Sequence, residues 1–157
     1  MQELLTRLYN ALVALSASLK KPNIIDVIPL ETKPPMKKSL LLTFCDGIVE
    51  YENMKKYHAS NLNPGAFRFS SYISSLGAIG ERDGYAVFKT YDDGYNALKQ
   101  FVLDASQNKL KAYKNCSIST FFNSYAPTSD NTNPNKYALF IAKKCGVMIS
   151  SKLSDII

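Results

Sequence analysis

The chain has no tryptophan, one histidine, three cysteines and three arginines among its 157 residues. Each scarcity closes a class of chemistry. Cys45, Cys116 and Cys145 are far apart, with no C-x-x-C pair, and His58 is the sole imidazole, so no zinc site can be assembled and no metal or cofactor is expected. His58 lies in a polar stretch without a neighbouring Ser or Cys nucleophile pattern, and no catalytic role is assigned to it. Cys45 and Cys145 fall in apolar helical patterns and read as buried thiols; one disulfide with a leftover cysteine stays open. Gly77, Gly80 and Gly84 match neither dinucleotide nor P-loop spacing. No apolar run approaches the roughly 20 residues needed to span a bilayer.

What is present fits one domain with a real core. Hydrophobic residues make up 46% of the chain against 20% charged, which argues against wholesale disorder. The net charge is +6, and of 19 basic residues only Arg7, Arg68 and Arg82 are arginines. A lysine-dominated excess favours loose attraction to polyanions over bidentate reading of bases or phosphates. The lysines are scattered rather than gathered on one helix, and specific nucleic-acid binding is not expected.

Residues 1–38 divide into a helix and a connector. Leu4, Leu5, Leu8, Ala11, Leu12 and Leu15 form one apolar stripe over residues 2–18, which reads as a packing helix. A cleaved or membrane-touching leader is the alternative, with Glu3, Tyr9 and Asn10 interrupting its hydrophobic run. Pro22, Pro29, Pro34 and Pro35 make residues 20–38 an extended connector laid on the core.

Residues 39–157 carry the main domain, and its organising stretch is Ser39 to Arg68. Ser39 is placed to cap a helix reaching about Met54. Leu41, Phe44, Cys45, Ile48 and Glu52 share one face, whereas Leu42, Asp46 and Glu50 share another. Glu52 therefore continues a buried stripe and Glu50 does not. A partly desolvated carboxyl has its pKa raised, which suits a general acid; the bland role is a helix-end acid paired with Lys55 or Lys56.

Beyond it, Asn63-Pro64-Gly65 is a turn. Phe67 to Ile73 reads as a short strand or extended piece, Ser74 to Gly84 as a glycine-punctuated loop and Tyr85 to Thr90 as a strand. Asp92 or Asp93 is expected to cap a helix to about Ser106, with Tyr95, Leu98, Phe101 and Val102 on its core face. Further helices begin near Ser117 and Pro134, the latter ended by Gly146, and a short one closes the tail. The expected fold class is mainly α with a small β element (α+β).

Four stretches in this order resemble a known family. They are Ile48-Val49-Glu50-Tyr51-Glu52, the turn Asn61 to Arg68, the segment Gly84 to Thr90 leading to Gly94 and Ala97-Leu98, and Tyr125-Ala126-Pro127 with Asp130-Asn131-Thr132 and Tyr137. Together they are similar to small phage- and bacterium-encoded lysozyme-like lytic transglycosylases of the Asn-Pro-Gly turn type, many of them labelled virion structural proteins. The likeness runs from about Ser39 to Val147. Where the family has Glu-Gly, this chain has Glu52-Asn53, and where it has a second Asn after Pro-Gly, this chain has Ala66.

The resemblance implies a lysozyme-like single domain that cleaves peptidoglycan between N-acetylmuramic acid and N-acetylglucosamine with one glutamate. Glu52 would be the acid and base, with Glu50 the alternative, and Tyr137 would orient it. Asn63, Gly65, Arg68, Phe88 and Tyr125 would contact the glycan strand. Asp83 is the loop candidate should a second carboxylate take part. The implied setting is a virion or the cell envelope, with other virion proteins as partners and no membrane anchoring favoured. A non-catalytic virion or wall-binding protein with the same fold is the alternative, motivated by Asn53 and Ala66.

Overall fold

Ser39 does what its position promises: its hydroxyl accepts the Leu42 N–H at 3.3 Å and opens helix α1 (Leu40–Asn53). A computed structural model of the chain describes residues 39–53, 59–130 and 132–157. The helix expected over 2–18, the connector over 20–38, and Lys55, Lys56 and His58 lie outside those residues. The described part is mainly helical with one two-stranded sheet.

After α1 come a 3-10 turn (Ala59–Asn61), helix α2 (Ser71–Ser75), the hairpin β1 (Gly80–Arg82) and β2 (Tyr85–Val87), and helix α3 (Tyr91–Ser106). Helices α4 (Ile118–Tyr125), α5 (Pro134–Cys145) and α6 (Leu153–Ile156) complete the order. Helix α5 packs on α4 and α1, and α1 packs on α3. Phe44, Ile48, Leu98, Val102, Ile118, Phe121, Phe122 and Ile141 are buried where these helices meet. Phe44 meets Phe121 edge-on at 5.5 Å, an arrangement aromatic quadrupoles favour.

Local chemistry sets most helix ends. Ser117 and Thr120 form a capping box at α4, and Asn133 with Pro134 starts α5. Gly146 ends α5 at φ 70, in the left-handed region open to glycine. Glycine also lies where α1 meets α5. A Cβ on Gly47 would sit 2.6 Å from Ile141 Cδ1, so a larger residue there would make that side-chain end shift.

Four expectations are corrected. Residues 71–75 are helical rather than extended, because the Ser70 hydroxyl accepts the Ile73 N–H at 3.2 Å and caps α2. The loop expected over Ser74 to Gly84 contains strand β1, since Asp83 (φ 53) and Gly84 (φ 82) form the left-handed two-residue turn that joins hairpin strands. Thr90, rather than either aspartate, caps α3: its hydroxyl accepts the Asp93 N–H at 3.0 Å. Strand β2 also stops at Val87. All three cysteines are free, and burial pushes the Cys45 thiol up to about 12, which makes it inert. Among the described residues no helix is long and apolar enough to cross a membrane.

Candidate functional site

Helical phase separates the three acids of α1. Asp46 receives the Tyr95 hydroxyl at 2.5 Å. Glu50 is exposed and paired with Lys144 of α5. Glu52, at the last turn, is only 5% exposed, which for a carboxyl demands a partner. Beside it on α5 stands Tyr137, fully buried, whose hydroxyl donates to the Ile48 carbonyl at 3.4 Å and lies close enough for the Glu52 carboxylate to act on it.

The Tyr137 ring is clamped. Tyr51 stacks on it at 3.8 Å between centroids and 15° between planes, and Phe122 stacks on it at 4.2 Å and 26°. Tyr125 meets it edge-on at 6.2 Å. Burial raises the Tyr137 pKa well above the ordinary phenol range, and the Tyr125 and Glu52 charges add to it. Burial, then the Glu52 charge, does the same to Tyr125 and raises Tyr51. These phenols therefore stay protonated near neutrality. Among the described residues, neutral phenols and aromatic rings gather around Tyr137 beside the acid.

The Asn-Pro-Gly turn is tied to this centre through Tyr125, whose hydroxyl donates to the Gly65 carbonyl. Asn63 is 1% exposed, and its amide donates to the Phe67 carbonyl at 2.9 Å and the Ala86 carbonyl at 3.0 Å. Its side-chain oxygen accepts the Phe67 N–H at 3.0 Å. Both amide protons are thus engaged within the chain, and Asn63 pins the turn to the hairpin. Leu62 (φ 52) and Ala66 (φ 50) are both left-handed, a cost for residues with a Cβ that the surrounding bonds sustain.

Gly94 completes the seat of the turn. A Cβ there would fall 2.2 Å from the Leu62 carbonyl oxygen and 2.7 Å from Pro64 Cδ. The first turns of α3 thus carry the turn at a distance only glycine permits.

Of the residues the sequence singles out, Glu52, Tyr137, Tyr125 and Gly65 form one connected set. Phe88 is 1% exposed, so its side chain belongs to the core, and its N–H donates to the Asn61 carbonyl at 3.0 Å. Arg68 is exposed with its guanidinium 4.9 Å over the Tyr85 ring. Asp83 occupies the exposed hairpin turn, among neither the residues around Glu52 nor those of the Asn-Pro-Gly turn. Thr132 reaches the Ala126 and Pro127 carbonyls at 2.6 and 2.8 Å, closing the Tyr-Ala-Pro segment.

Sequence reasoning missed Tyr51 and Arg82. Tyr51 looked like a neighbour of the acid, and its stacking depends on α5 crossing α1. Arg82 stood in a supposed loop. Among the described residues no group of three or more His, Cys, Asp or Glu is placed to hold a metal ion. Comparison of the chain with protein-family models, curated proteins and solved structures finds no match.

Proposed function

We propose that the chain is a lysozyme-like, peptidoglycan-degrading lytic transglycosylase that acts in a virion or at the cell envelope. The observation that carries the reading is Glu52, buried at the end of an apolar helix face beside the clamped Tyr137 of α5. Glu52 would protonate the oxygen of the bond between N-acetylmuramic acid and N-acetylglucosamine. The resulting carboxylate would then take the proton of the muramyl 6-hydroxyl as that oxygen bonds to C1. The strand is cut, a 1,6-anhydro end is formed, and no water is consumed.

One acid suffices for this sequence because the same carboxyl loses and regains its proton. Tyr137 would position it at the end of the apolar helix face. Purified protein should release anhydromuropeptides from sacculi. Glu52→Gln should lower the rate at least about 100-fold, the scale of a lost general acid. Unchanged turnover in that variant would sink the assignment.

A second reading is a non-catalytic virion or wall-binding protein of the same fold. Ala66, held at φ 50 where the resembled family has asparagine, favours it. Sacculi would then pellet the protein without releasing any product, whereas product formation removes this reading.

A further inference from the structure

Two of the three arginines in the chain come together on the hairpin. Arg82 pairs directly with Tyr85 across the β1–β2 hairpin, and Arg68 pairs with Tyr85 from the other side in an isolated antiparallel bridge. Directly opposed residues of antiparallel strands project to the same face, so the order across that face is Arg82, Tyr85, Arg68. Glu81, one residue along, projects to the opposite face.

Both guanidinium groups are held in place. Arg68 lies over the Tyr85 ring with its guanidinium carbon 4.9 Å from the centroid, and its backbone continues from the turn that Asn63 pins. Arg82 donates from Nη1 to the Ser60 carbonyl at 3.3 Å, in the segment between Glu52 and the Asn-Pro-Gly turn. Asn61 fixes the same residue from behind, its amide donating to the Arg82 carbonyl at 3.5 Å. Each arginine remains largely exposed.

We infer that the Arg68–Tyr85–Arg82 face is a carboxylate-binding site, and that its ligand is the peptide branch of the glycan strand. The ligand rests on the transglycosylase reading; the carboxylate chemistry does not. Guanidinium forks match carboxylate geometry in a way that lysine does not, and a fork already stacked or tethered loses less freedom on binding. Sugar hydroxyls carry no charge, so two fixed cations serve an anionic substituent of a glycan strand rather than its sugar rings. The face is joined to the rest of the site through the chain: Arg68 follows the turn whose Gly65 carbonyl accepts the Tyr125 hydroxyl, and Arg82 reaches the Ser60 carbonyl just before that turn.

The test uses the full chain and a soluble probe, the peptide alanyl-γ-glutamyl-lysyl-alanyl-alanine, beside the same peptide with its carboxylates capped as amides. The Nε–Hε resonances of Arg68 and Arg82 should shift as the free-acid peptide is titrated in, and the capped peptide should leave them in place. Arg68→Gln with Arg82→Gln should weaken binding about tenfold or more. Arg82→Lys, which keeps charge but loses the fork, should fall between and guards against a variant that fails to fold. Absence of shifts, equal binding of the capped peptide, or equal binding by the double variant would overturn the site. Because Glu52 is untouched and no bond is cut, sacculus turnover reports on the catalytic reading separately.

Discussion

At the level of single residues, position 66 ties conformation to the question of activity. The resembled family has an asparagine there, and this chain has Ala66 at φ 50. Asparagine and glycine tolerate the left-handed region far better than alanine, so the family residue has a backbone reason as well as any sugar contact. Ala66→Asn and Ala66→Gly should therefore each stabilise the protein by about 0.5–1 kcal/mol, read as a higher urea midpoint with unchanged slope. A gain in turnover confined to Ala66→Asn would mark a role for the amide in catalysis. Equal turnover in both variants would confine the role of that position to the turn.

Elements meet here through glycine and through side-chain caps. Gly94 is the sharpest case, because the Leu62 carbonyl and Pro64 ring occupy the space a Cβ would need. Gly94→Ala should destabilise by about 1–3 kcal/mol, as overpacking does, despite the better helix propensity of alanine. Thermal melts would show it, and an unchanged midpoint would refute the close seating of the turn on α3. The same interplay explains which elements were legible. Helices α1, α4 and α5 announce themselves through Ser39, Ser117 and Pro134 with Gly146, all local signals. Helix α2 and strand β1 are shorter than their periodicity can show, and the left-handed Asp83-Gly84 pair was the one signal for the hairpin.

For the molecule as a whole, pH dependence follows from a buried acid outside the candidate site. Asp104 is 8% exposed and receives Tyr72 at 2.8 Å, Gln100 at 2.9 Å and Lys109 at 3.1 Å. Burial alone would raise its pKa, and these hydrogen bonds together with the Lys109 charge overturn that and leave it lowered. A depressed carboxylate contributes stability above its unfolded value near 3.8, and the contribution is lost as pH falls through the folded value. Asp104→Asn should thus be less stable than the parent near neutrality and lose less on acidification, measured by urea midpoints between about pH 6 and 3. Parallel losses in both proteins would contradict it. This bond also ties α2 to α3, which stabilises the short helix through its neighbour.

By itself the sequence determined the acid and its phase: three- and four-residue spacing places Glu52 on the buried stripe of α1 and Glu50 on the wet face. It determined the turn and the starts of α1, α4 and α5 as well, because those depend on residues a few positions apart. Only the tertiary structure decided what Glu52 touches. Tyr137 lies 85 positions away along the chain, and its stacking between Tyr51 and Phe122 exists because α5 packs on both α1 and α4. The pairing of Arg68 and Arg82 on either side of Tyr85 is likewise a matter of strand register, set by hydrogen bonds between segments. Local spacing determines which face a side chain occupies, and long-range packing determines what stands opposite that face.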